Sequence, residues 1–206
     1  GVLAVSVLPA DSSSSQHFRK GAFCSMTRTQ LEDILRHYSL NFLPQRQREV
    51  EDERFPPMAV IFRQCLESDR LPTQDKFIHA VQSQYEGTWT PAHSARATRA
   101  YVANIQQYHF ELLLGEIFHQ VEWNESLDLR EGIDVAVHHK GKQFGFAVHV
   151  QTPRADSFVE RKRNRYRPSM PVLDVLIQPR RYCVGRFWLY HPQDIGEVIA
   201  FTETNQ

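Results

Sequence analysis

The spacing of apolar residues changes at Val121, and that change constrains the fold more than any other feature of the chain. Before it, Tyr101, Ile105, Tyr108, Leu112 and Ile117 recur at helical spacing and predict a long helix from about Ser94 to His119. After it come short β-rich runs, "VEWNESL", "IDVAVHHKGKQFGFAVHVQT", "PVLDVLIQ" and "GRFWLYH", in which Lys140, Gly141 and Lys142 offer a hairpin turn. Between the second and third runs, "ADSFVERKRNRYR" reads as a helix capped by Asp156 or Ser157, and "PQDIGEVIAF" as a last short helix. The order helix, strand, strand, strand, helix, strand, strand predicts an α/β layer in which helices flank a central sheet.

Ahead of this layer, residues 26–93 read as a small helical region. Met26 precedes a helix start in "MTRTQLEDILRHY", where Thr27 or Thr29 can cap and Leu31, Ile34 and Leu35 share one face. Pro44, Pro56, Pro57 and Pro72 stand at the starts of the next segments, where a missing amide hydrogen costs little. Residues 1–25 combine a short apolar run with a serine tract and read as a flexible tail. That run has neither the charged front of a secretory signal nor the length of a membrane span. The expected division is thus a tail over 1–25, a helical region over 26–93 and an α/β core over 94–206.

A chain of 206 residues that is 41% hydrophobic and 23% charged is expected to be soluble, with no membrane partner. Cys24, Cys65 and Cys183 lie far apart and form no CxxC pair, so neither a disulfide framework nor a cysteine zinc site is expected, and a reducing cytoplasm fits. The formal net charge of zero conceals two opposed blocks. Tyr101 to Asp134 holds seven acidic residues and one basic, whereas Arg154 to Arg186 holds nine basic and three acidic. Such blocks suit an acidic metal cluster beside a basic rim for phosphates, or a surface that pairs with itself, a protein partner or a second copy in a homodimer.

The candidate chemistry lies in two neighbouring strands. Asp134 faces away from the apolar set Ile133, Val135 and Val137. On the next strand His149 and Gln151 share one face, while Val148 and Val150 share the other. Two polar side chains together on a strand require partners or solvent, a need that an edge strand with one wet face meets as well as a site does. His138, four residues beyond Asp134, falls on the same face and could join His149 and a carboxylate on zinc, although that spacing is not diagnostic.

With Glu111 in "YHFELLLGEIF", Asp134 in "GIDVAV" and the phrase "VHVQT" in this order, the chain resembles the PD-(D/E)XK nuclease superfamily from roughly Tyr101 to Phe201. In that family a helix glutamate precedes a strand aspartate, and the next strand carries an acid or glutamine, one residue, then lysine. The resemblance implies a restriction-endonuclease-like mixed sheet flanked by helices and hydrolysis of DNA phosphodiester bonds. It further implies Glu111, Asp134, His149 and Gln151 as catalytic positions, with Mg²⁺ or Mn²⁺ held by Glu111, Asp134 and His149. Glu116 is the second choice for the helix glutamate. His149 replaces the acid or glutamine, and Gln151 replaces the lysine. Imidazole suits Mn²⁺ or Zn²⁺ better than Mg²⁺, and glutamine can orient water but brings no positive charge.

Behind that strand stand Arg154, Arg161, Lys162, Arg163, Arg165 and Arg167. Arginine meets phosphate through paired hydrogen bonds and Tyr166 can stack on a base, so nucleic acid, DNA in the first place, is the expected partner. Arg180 and Arg181 extend the same run. Trp89, Trp123 and Trp188 are expected in the core or at its rim. The alternative to a nuclease is a protein that keeps the fold and binds nucleic acid or another protein without cleavage.

Overall fold

The computed structural model describes residues 26–41, 48–51, 53–67, 70–152 and 166–205. The predicted tail, and the predicted helix that carries Arg154, Arg161, Lys162, Arg163 and Arg165, lie outside the described residues.

Helix α1 (Arg28–His37) starts where the threonine signal places it. Thr27 Oγ1 accepts the Gln30 amide at 3.2 Å while Gln30 Oε1 accepts the Thr27 amide at 2.7 Å, a reciprocal cap that satisfies two otherwise orphaned donors. Then follow α2 (Arg48–Glu51), α3 (Met58–Cys65) behind Pro56 and Pro57, and α4 (Gln74–Ser83), capped by Thr73. The long helix α5 runs Pro91–Gly115 rather than Ser94 to His119. Its early start follows from Pro91, whose fixed φ suits a first helical turn, and from His93 Nδ1, which accepts the Thr90 amide at 3.1 Å. Because α5 ends at Gly115, Ile117 leaves the predicted apolar face and is exposed.

The sheet contains β1 (Gln120–Glu122), β2 (Val135–His139), β3 (Lys142–Val150) and β4 (Val172–Ile177), ordered β1-β2-β3-β4. The first two pairings are antiparallel and β3 with β4 is parallel, so the fold is mixed α/β. Lys140 and Gly141 both take positive φ between β2 and β3, as a tight hairpin turn whose twist matches the strands requires. A parallel pair needs a crossover, and the chain between Val150 and Val172 supplies it. One sheet face, with Val135, Val137, Phe144, Phe146, Val148 and Val175, packs against Phe110, Leu113 and Leu114 of α5. Helix α6 (Ile195–Thr204) adds Val198 and Phe201, whose ring lies 6.1 Å from those of Phe144 and Phe146.

The first half of α5 serves a second core. Tyr101, Ile105 and Tyr108 pack with Leu31, Leu35, Phe62 and Phe77 from the N-terminal helices and with Val184, Phe187 and Leu189. The run "GRFWLYH" therefore does not join the main sheet. Its β6 (Phe187–Trp188) pairs with β5 (Cys183–Val184) in a separate two-stranded hairpin, because Val184 and Phe187 are drawn into the helical core. Among the described residues, no helix is long and apolar enough to cross a membrane.

Candidate functional site

Strand β3 lies between β2 and β4, but β2 pairs only with Lys142 to Phe146, so Val148 to Val150 of "VHVQT" have β4 alone as a strand partner among the described residues. Register sets what shares its second face. Val135 pairs with Phe146, which places Asp134 opposite Ala147, and Ala147 pairs with Asp174 on the other side. Two carboxylates thus flank a small alanine across three strands, and His149 follows one alternation further along β3. His149 Nε2 stands 3.3 Å from Asp174 Oδ1. Asp174 was absent from the sequence-derived set, although a single acid in the apolar run "VLDVLI" is its signal.

Asp134 is buried, and the local backbone explains how. Strand β2 begins only at Val135, leaving the β3 amide of Val148 beyond the regular ladder; Asp134 Oδ2 accepts it at 2.6 Å. The Asp134 amide donates to Phe146 O at 2.9 Å, so one residue holds both ends of the stretch 146–148. A carboxylate that accepts a buried amide satisfies two polar groups that water cannot reach. Just upstream, a π-helical turn over Leu127–Glu131 carries Glu131, whose carboxylate accepts the amide and hydroxyl of Ser169 at 2.6 and 2.9 Å. That contact ties the approach to β4 to the approach to β2. Gln151 lies just past β3, exposed, with its amide donating to Ile177 O at 2.9 Å.

Glu111 is placed elsewhere. It sits on α5, which covers the opposite sheet face, and pairs with Arg63 at 2.5 Å. The Arg63 guanidinium lies 5.3 Å from the Tyr108 ring centre and 5.2 Å from that of Trp123, so Glu111 completes a clasp between α3, α5 and the end of β1. Glu116 pairs with Arg28 at 2.9 Å. His138 is exposed and lies 3.6 Å from Glu122. Mg²⁺ takes near-octahedral oxygen ligands at about 2.1 Å. Asp134 Oδ2 is engaged with an amide, His149 stands beside Asp174, and Glu111 is paired across the sheet, so the three expected ligands do not converge. Among the described residues, no three of His, Cys, Asp and Glu are placed to hold a metal ion. Of the basic run, the described members are Tyr166, half-buried, and Arg167, exposed.

A second polar cluster escaped sequence reasoning. His109, fully buried on α5, contacts Glu32 of α1 through Nε2 at 2.9 Å, and Arg28 donates to the same Glu32 oxygen at 2.7 Å. Burial pushes His109 below its ordinary value, outweighing the upward pull of Glu32. Burial acts to raise Glu32, but hydrogen bonds from His109, Tyr182 and Arg28 hold it below the usual carboxylate range. Because Nε2 faces a carboxylate it carries the proton, which leaves the buried Nδ1 an acceptor with no hydrogen-bond partner among the described residues. The only sequence signal is that His109 stands four residues after Ile105, on an otherwise apolar helix face.

No protein-family model, curated protein or solved structure matches the chain.

Proposed function

We propose that the chain is a restriction-endonuclease-like protein that binds nucleic acid, DNA in the first place, and does not cleave it through a bound metal. The observation that carries this reading is the engagement of Asp134: its carboxylate holds the Val148 amide, while His149 Nε2 lies 3.3 Å from Asp174 and joins no ligand cluster among the described residues. The order helix, three antiparallel strands, crossover and parallel strand supports the nuclease lineage, as does "GIDV", whereas "VHVQT" aligns with the family phrase but departs from it at His149 and Gln151. Gln151, where the family has lysine, supplies no charge to a developing phosphorane. Binding is then a matter of phosphate contacts from Arg154, Arg161, Lys162, Arg163, Arg165 and Arg167, six cations in fourteen residues of sequence.

The test is incubation of the full chain with supercoiled plasmid in EDTA, Mg²⁺ or Mn²⁺, with Asp134→Ala in parallel. The expected result is salt-dependent retardation without nicking in every condition. Changing Arg161, Arg163 and Arg165 together to alanine should weaken binding and flatten its salt dependence. Cleavage that needs both metal and Asp134 would overturn the reading.

A further inference from the structure

The β5–β6 hairpin presents an outward face that the cores do not use. Val184 and Phe187 point inward and are buried, whereas Cys183, Arg186 and Trp188 are exposed; Trp188 keeps 37% of its surface accessible. More than a third of this large aromatic surface therefore stays open to solvent on a two-residue strand. Its backbone is nonetheless fixed: Gln106 of α5 donates to Trp188 O at 2.9 Å, and the Leu189 amide donates to Tyr182 O at 2.9 Å. The turn at Gly185 has φ +57° and presses so closely on α1 that a Cβ there would collide with Leu35 O. The hairpin backbone is therefore anchored to α5 and α1.

Its surroundings are cationic. Arg186 donates to Leu40 O at 3.3 Å, a neutral partner, and Arg180 is exposed in the left-handed conformation of the preceding turn. Among the described residues neither forms an ion pair with a carboxylate. Arg36, at the end of α1, borders the Gly185 turn, while Arg36 and Arg181 are balanced by Asp33 and Asp194. Arg180 follows β4 by three residues, and the Gln151 amide bonds Ile177 O at the end of β4. The cations thus continue from the carboxyl ends of the parallel strands, where open α/β sheets receive ligands.

We infer that this hairpin is a docking platform for single-stranded nucleic acid, with Trp188 stacking on a base and Arg180 and Arg186 meeting the flanking phosphates. The chemistry favours this occupant because an unpaired base offers a flat apolar face beside negative charge, which a duplex does not expose. The inference rests on the nucleic-acid reading above, and it adds Trp188, Arg180 and Arg186 to the residues that carry that reading.

The experiment titrates the full chain with oligo(dT) and oligo(U) and follows tryptophan emission and affinity. Quenching is expected in the wild type and lost in Trp188→Phe, which leaves Trp89 and Trp123 as reporters. Trp188→Ala should weaken binding of the single strand about tenfold. Arg180→Ala, at an exposed site, should lower affinity and reduce the salt slope by about 0.7. Plasmid retardation in these variants should match the wild type. Oligonucleotide affinity unchanged in both Trp188→Ala and Arg180→Ala would overturn the platform while leaving plasmid binding intact. A wild-type protein that retards neither plasmid nor oligonucleotide would overturn the nucleic-acid reading together with it. DNA and RNA strands share the recognised chemistry, so a preference for either supports the platform and identifies its source.

Discussion

Asp134 Oδ2 accepts the Val148 amide at 2.6 Å, so the residue that most suggested catalysis closes the gap where β2 and β3 part. Asp134→Ala leaves that buried amide without an acceptor, which should destabilise the fold by about 1–3 kcal/mol. Asp134→Asn retains a carbonyl oxygen and should recover much of the loss. Urea denaturation of the three proteins checks this. A carboxylate kept to bind metal would instead give an asparagine variant at least as stable as the wild type in EDTA.

Arg63 carries three contacts at once, with Glu111, Tyr108 and Trp123. Arg63→Ala should cost about 1–2 kcal/mol and shift the emission of Trp123. Arg63→Lys should fall between, since it keeps the charge but loses the flat guanidinium between two rings. Equal stability of Arg63→Lys and wild type would show that the charge alone matters.

The Glu32–His109 pair makes the fold acid-sensitive in two stages. His109 is held below its ordinary value of about 6.5, so as pH falls through that value the unfolded chain takes up a proton first and stability declines. Glu32 is held below the usual carboxylate value of about 4.5, so its contribution is present above that pH and is lost as pH falls further. Urea midpoints measured from pH 8 to 4 should fall, and His109→Asn should flatten the upper part of the curve. A midpoint that rises between pH 7 and 5 would contradict the buried neutral histidine.

Gly185 combines a positive φ with contact against the Leu35 carbonyl, a backbone atom that cannot swing aside. Gly185→Ala should therefore lose at least about 1 kcal/mol, read as a lower melting temperature. Gly141→Ala, also at positive φ but with open space around it, should lose less.

The order of elements was legible because period and punctuation are local. Thr27 or Thr29 announced α1, of which Thr27 is the cap, Lys140 to Lys142 announced the hairpin, and alternation placed His149 opposite Val148 in facing. Glu111 illustrates the limit: its position before the first strand matched a family ligand, yet helix rotation turned it towards Arg63. Asp174 shows the converse, since its pairing opposite Ala147 depends on a parallel register that follows a crossover.

Among the described residues, what the sequence determined by itself was most of the helices and strands, the threonine cap of α1 and the alternation within β3, because those depend on residues a few positions apart; "VEWNESL" departs from its predicted strand after Glu122 and leads into the π-helical turn. Tertiary structure alone decided that β6 would leave the sheet, that Asp134 would meet Val148, and that Glu32 would meet His109, seventy-seven residues away in the chain. These partners are chosen by which buried polar groups need satisfying once the two cores close, and that need exists only after burial has removed water.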